Sequence, residues 1–171
     1  MTIAETDLSR SSVLKLGNQG ELYFLRGEGS LYHKFDDITK KFQLPDLVDE
    51  SCFIDYWFNE CLGVVLLCDS EGLKLFCLDL LDERGQTIPL NRSEMDDSGV
   101  FRQQFVDSRE GPLFVYEGGL ISFNQKGAVR WRVDHQQMDR VFVGIRDACA
   151  WYESEYEGSW GYRLSDGKKV R

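Results

Sequence analysis

Histidines number two and prolines three in a chain of 171 residues. With so little histidine, His33 and His135 are the side chains whose unperturbed pKa suits base catalysis near neutrality, and neither has a serine or cysteine nucleophile beside it in a recognisable arrangement. No phosphate-cradling loop, Gly-x-Ser-x-Gly elbow or His-Glu-x-x-His helix is present either. The turn Arg26 to Gly29, "RGEG", lacks the following helix that a dinucleotide site requires. Catalytic machinery is therefore not expected. One pairing of carboxylates, Asp55 with Glu153 or Glu155, could serve a glycosidase, but with 29 acids in the chain chance pairs are common.

Long hydrophobic runs are missing as well. Nothing approaches the roughly 18 consecutive apolar residues of a membrane-spanning helix. The start, "MTIAETDLSR", is polar and acidic where a secretory signal needs a basic patch and an apolar stretch, which predicts a cytoplasmic protein. Five cysteines, Cys52, Cys61, Cys68, Cys77 and Cys149, are an odd number without any Cys-x-x-Cys pair. They predict buried small apolar residues, with no disulfide framework and no zinc site. Pairing Cys68 with Leu73 across "DSEG" sets Val64 opposite Cys77. Basic clusters are absent, and the net charge is −9, so a nucleic-acid partner is not expected.

What the chain does have is aromatic residues, 16 glycines and a repeat. Four stretches align: "GSLYHKFDDITKKF" from Gly29, "GLKLFCLDLLDERGQTI" from Gly72, "GLISFNQKGAVRW" from Gly119 and "GSWGYRLSDGKKV" from Gly158. Each reads as a strand after a glycine turn, a polar turn and a second strand. A strand precedes each stretch, "ELYFL", "GVVLLC", "PLFVY" and "ACAWYE", and another precedes that, at 12–16, 51–58, 100–106 and 140–145. The expectation is all-β: four units of four antiparallel strands, β-propeller-like, with a β-sandwich or open barrel as the alternative. Residues 1–11 form a polar tail and 12–171 a single domain. The rings of Trp151, Trp160 and Tyr162 are expected to fill the space between stacked units, while Tyr156 sits at an exposed turn tip.

The third stretch resembles the repeats of the quinoprotein-like (PQQ-like) propeller superfamily, on Gly119, Leu120, Phe123, Asn124, Gly127 and Trp131. The second keeps Leu73, Leu78, Asp79 and Gly85 of that pattern, and the fourth keeps Leu164, Asp166 and Gly167. The likeness covers repeat geometry over about 145 residues. It implies blades, and no cofactor ligands carry over with it. Four blades either close on themselves or form an open arc that pairs with a second copy as a homodimer.

In such a fold the loops joining second to third strands, and those joining one blade to the next, emerge at one end. Those loops hold Glu28, Asp46, Asp49, Glu50, Asp69, Glu71, Glu94, Asp96, Asp97, Glu117, Asp134, Asp139, Glu155 and Glu157 against the single base Arg92. Loops at the opposite end carry Arg84, Arg109, Lys126, Arg146 and Lys168, so turn chemistry alone does not produce the asymmetry. An acidic end predicts a cationic partner. The expected function is non-enzymatic binding of a basic protein, as an adaptor or an immunity-like inhibitor, through Glu28, Asp49, Glu50, Asp69, Glu71, Asp96, Asp97, Glu117, Glu155, Tyr156 and Glu157. Carbohydrate binding and an orphan structural domain are the alternatives. No catalytic residue, metal or cofactor is assigned, and neither nucleic acid nor membrane is expected as a partner.

Overall fold

A computed structural model of the chain describes residues 11–25, 30–43, 53–69, 74–90, 103–116, 118–134 and 140–171. Among the described residues sixteen strands form four antiparallel sheets, each a simple meander in chain order. The first sheet is β1 (Ser11–Lys15), β2 (Glu21–Leu25), β3 (Ser30–Phe35) and β4 (Ile38–Gln43). The second is β5 (Phe53–Asn59), β6 (Val64–Asp69), β7 (Lys74–Asp79) and β8 (Arg84–Pro89). The third is β9 (Gln104–Val106), β10 (Leu113–Tyr116), β11 (Gly119–Phe123) and β12 (Val129–Asp134). The fourth is β13 (Arg140–Arg146), β14 (Cys149–Ser154), β15 (Gly158–Arg163) and β16 (Lys169–Val170). Four such meanders in series make an all-β, propeller-like fold. Two compact units divide the chain, 1–89 with the first two sheets and 90–171 with the last two. Among the described residues no helix is long and apolar enough to cross a membrane.

The first unit buries an aliphatic core. Leu16, Leu22, Leu31 and Phe42 from one sheet meet Val65, Leu67, Phe76, Leu78 and Leu80 from the next. The central strands β6 and β7 read as nearly continuous apolar runs because both faces are covered. Each fully buried Leu or Phe contributes about 1.5–3 kcal/mol relative to exposure. His33 belongs to this framework: it is buried, and its Nε2 meets the Gln19 carbonyl oxygen at 2.6 Å. That contact ties β3 to the single-turn 3-10 helix, Gly17–Gln19, which follows β1.

Cys68 faces Leu75 and Cys77 faces Leu66, so the expected pairing of Cys68 with Leu73 and Val64 with Cys77 is displaced by two residues. Among the described residues the β6–β7 pair nearest the turn is Cys68 with Leu75, where the sequence alone sets Cys68 against Leu73. A two-residue slip preserves which face each side chain occupies. Both thiols remain buried.

The second unit buries an aromatic core. Leu113, Val115 and Leu120 pack with Tyr152, Trp160, Tyr162 and Leu164, and the half-buried Trp131 packs against them. Tyr152 stacks on Trp160 at 6.1 Å and meets Tyr162 edge-on at 5.8 Å. Trp151 departs from the expected core position. Next in sequence to Tyr152, it projects from the opposite face of β14, as strand alternation demands. There it lies across Gly161, half-buried, its Nε1 donating to the Arg146 carbonyl at 3.1 Å while the Arg146 guanidinium covers its ring. Gly119 opens β11 where any side chain would collide with the Val133 carbonyl, so the aligned glycine is a requirement of close packing.

Candidate functional site

Most of the acids expected to form a binding end, Glu28, Asp49, Glu50, Glu71, Asp96, Asp97 and Glu117, lie outside the described residues, as does His135. Asp69 ends β6 opposite Phe53. Glu155, Tyr156 and Glu157 are described, and they form the turn between β14 and β15. Asp55 belongs to the first unit and Glu153 and Glu155 to the second. The Asp55 carboxylate accepts from the Tyr56 amide at 2.9 Å.

The β14–β15 turn is held from within. Ser154, the last residue of β14, accepts at its Oγ from the Tyr156 amide at 3.1 Å and the Glu157 amide at 3.3 Å. A hydroxyl that satisfies two turn amides fixes the loop without help from secondary structure. Gly158 then takes φ +74 and returns the chain into β15. Tyr156 is thereby left projecting from the tip, 85% exposed.

Glu157 does not face solvent alone. Arg140 donates to its Oε1 at 3.3 Å and Lys169 to its Oε2 at 3.4 Å. The same two cations cover the Trp160 ring, Arg140 at 5.1 Å and Lys169 at 4.8 Å from its centre. Register explains the convergence. Arg140 pairs with Ser154 and Lys169 with Tyr162, which places both on the face of the sheet that carries Trp160. Beside this cluster Glu157, Ser159, Trp160, Lys169 and Arg171 line a cleft of about 360 Å³.

A second polar group stands at the same end of the unit's other sheet. The Tyr116 hydroxyl donates to Asp134 Oδ1 at 3.1 Å and accepts from Arg132 at 3.3 Å, while Arg132 Nε meets Asp134 at 3.0 Å. Burial is the main cause pushing the Tyr116 phenol up to about 12, opposed by the neighbouring Arg132. Burial likewise raises the Tyr152 phenol far above its ordinary value.

Counting charge by loops passed over Arg132, Arg140, Lys169 and Arg171, which reach the site from strand ends. Their signal was available in the alternation Lys169-Val170-Arg171, since a period of two puts both cations on one face. Among the described residues no three His, Cys, Asp or Glu side chains gather as metal ligands would.

No family model matches the chain, and no curated protein is similar to it. Solved structures with a similar backbone include dihydro-heme d1 dehydrogenase NirN in complex with DHE, at TM-score 0.49 and 11% identity, covering 94% of this chain and 37% of that one. Another is a functionally unknown protein from Desulfotomaculum acetoxidans DSM 771, at TM-score 0.45 and 12% identity, covering 94% of this chain and 59% of that one. The chain spans less than two thirds of each.

Proposed function

We propose that the protein is a non-enzymatic, cytoplasmic binding module whose acidic loop end engages a basic protein partner, in the manner of an adaptor or an immunity-like inhibitor. Its sheets are read as blades of the quinoprotein-like type, and the ring either closes on its four blades or is completed by a second copy. The observation that carries the binding reading is Tyr156, 85% exposed at the tip of a turn whose amides are already satisfied by Ser154. A tyrosine so held presents a rigid amphipathic ring, the kind of side chain that interface hot spots favour. Glu155 beside it is exposed and supplies a carboxylate for a cation of the partner. Glu157 is committed to Arg140 and Lys169, so within this turn its role is to hold the scaffold.

The test is to capture a partner from lysate on the immobilised chain, identify it, and measure its affinity for variants. Tyr156→Ala should weaken binding by at least tenfold, as expected for a hot spot worth about 2 kcal/mol or more. Glu155→Lys should weaken it further as salt is lowered, because it replaces attraction with repulsion. Affinity unchanged by both substitutions would remove this turn from the interface.

A further inference from the structure

Among the described residues the outer strand stops short in the fourth sheet. In the other three it runs to the first residue of the third strand: Gln43 pairs with Ser30, Pro89 with Lys74 and Asp134 with Gly119. In the fourth, β16 pairs only with Gly161 and Tyr162, so no described strand covers the outer side of Gly158, Ser159 and Trp160. The orientation of that edge follows from the turn beyond it. The Arg163 amide donates to the Lys168 carbonyl at 3.0 Å, and the Leu164 amide donates to the Ala148 carbonyl on the other side of the chain at 2.9 Å. Backbone groups alternate in an antiparallel ladder, so Arg163, Gly161 and Ser159 all direct N–H and C=O away from β14. Ser159 is exposed, and its outward donor and acceptor are a template for a further strand.

The surroundings of this edge suit a strand as well. The cleft of about 360 Å³ lies along it, lined by Ser159 and Trp160 together with Glu157, Lys169 and Arg171. Trp160 is 2% exposed, and its indole N–H has no acceptor among the described residues. A buried donor left unsatisfied is costly, and an incoming peptide brings carbonyls and polar side chains that can satisfy it. The two faces beside the edge differ in charge. Ser159 pairs with Glu153, which puts both side chains on one face, and Glu153 is exposed with no ion pair among the described residues. The opposite face carries Trp160 under Arg140 and Lys169, whose carboxylate Glu157 is already engaged. Basic side chains therefore suit the Glu153 face alone.

We propose that the open edge of β15 receives an extended segment of the basic partner as an added outer strand. The segment runs antiparallel to β15, with lysine or arginine at alternate positions toward Glu153 and small polar residues toward Trp160. Strand addition of this kind draws affinity from main-chain hydrogen bonds and specificity from alternate side chains. The inference rests on the basic-partner reading above and says how that partner is held. Tyr156 belongs to the turn that leads into β15, so it stands at the end of the same edge.

The test uses the full chain labelled with nitrogen-15 and a capped hexapeptide of alternating lysine and serine, with hydrogen exchange of the Ser159 amide as the readout. In the free protein this amide should exchange much faster than that of Tyr162, which faces β14. Saturating peptide should slow it by about tenfold or more. Residues of the added strand opposite Ser159 direct their own amides toward it, and those are the lysines, because their side chains share the Glu153 face. N-methylation of the lysine amides should therefore abolish the protection, whereas N-methylation of the serine amides should leave it in place. A purely electrostatic association would treat the two peptides alike. Ser159→Pro removes the outward donor at an edge position, where proline is tolerated, and should abolish binding. If that variant fails to fold, the two methylated peptides decide the question on the unsubstituted protein. Glu153→Lys should weaken binding severalfold at low salt.

The proposal is overturned if the Ser159 amide is already protected in the free chain, if the peptide gives no saturable protection, if both methylated peptides bind alike, or if alternating glutamate and serine protects equally well. A partner whose affinity falls in Tyr156→Ala without protecting Ser159 would keep the turn as the interface and remove strand addition. Peptide protection of Ser159 alongside partner affinity unchanged by Tyr156→Ala and Glu155→Lys would do the reverse.

Discussion

The two units solve the same problem, locking one four-stranded sheet against the next, with different chemistry at the same position. In the second unit Trp131, opposite Ser122 on β12, crosses to the β15–β16 turn, where its Nε1 donates to the Leu164 carbonyl at 2.8 Å. In the first unit Lys40, opposite His33 on β4, makes the equivalent reach to the Leu80 carbonyl at 3.5 Å and pairs with Glu83 at 3.0 Å. Leu80 and Leu164 are matched in turn: each amide bonds back across its sheet at 2.9 Å, to Gly63 and to Ala148, and each side chain is buried. The receiving turns differ accordingly. Gly167 takes φ +70 with the Trp131 ring 2.8 Å from where a Cβ would stand, whereas Glu83 occupies the left-handed region at φ 55 with a charged side chain. An indole seated on a glycine excludes water from the joint, and an ammonium paired with a carboxylate keeps it wet. The same fold therefore accepts either lock, and the two should differ severalfold in strength.

Removing the indole should have the largest effect. Trp131→Ala deletes a half-buried ring and a hydrogen bond together, and should cost about 3 kcal/mol, at the low end for Trp→Ala because the ring is partly exposed. Urea unfolding followed by tryptophan fluorescence reads this directly. Trp151 and Trp160 remain as reporters in the same unit. Arg130, which donates to the Ser165 carbonyl at 3.2 Å and pairs with Glu110, would still bridge the two sheets, so the joint should loosen without separating. A loss below about 1 kcal/mol would mean that Arg130 carries the joint and that the contrast with Lys40 is false.

Alkaline pH separates the units by their buried acids. In the second unit Tyr116 has its phenol raised to about 12, chiefly by burial. A raised acid favours its neutral form in the fold, so this contribution is intact below pH 10, the ordinary value, and is lost between pH 10 and 12. Two pK units correspond to roughly 2–3 kcal/mol. Tyr152, raised further, steepens the same limb. In the first unit, among the described residues, burial raises the Cys77 thiol, so its loss begins nearer the ordinary thiol value. Stability measured from pH 8 to 12 should show Tyr116→Phe flattening the upper part of the curve. An unchanged slope in that variant would assign the alkaline limb to other groups.

How much of this was visible in the sequence depends on the range over which each feature acts. Strand positions were legible because alternation and glycine turns are local: "ELYFL" is β2 to the residue, and "RVFVGI" is β13 short of one arginine. Trp131 stood out as a repeat position. Its seat did not, because Leu164 lies 33 residues away and a carbonyl has no sequence signal. The pairing of Cys77 was missed by two residues, since the length of a hairpin connection is set by backbone geometry that composition does not encode. Of the candidate site, the exposed Tyr156 followed from a turn tip rich in glutamate and glycine. The cations around Glu157 come from β13 and β16, on either side of the turn, and only strand pairing brings them to one carboxylate.

The smallest effect is expected from the lysine lock. Lys40→Met keeps the aliphatic stem that lies along the joint and removes the charge that reaches Leu80 and Glu83. Both partners of the ion pair are substantially exposed, at 32% and 60% of their side chains, so the pair is screened and worth about 0.2–1 kcal/mol. Hydrogen exchange of the amides of β4 and β8 in the folded state measures the joint without needing global unfolding. Protection should fall by less than about fivefold, and raising the salt concentration on the unsubstituted protein should reproduce most of that fall. A loss as large as that of Trp131→Ala would show that the ammonium anchors its sheet as firmly as the indole does. The difference between the two joints would then lie in their chemistry and not in their strength.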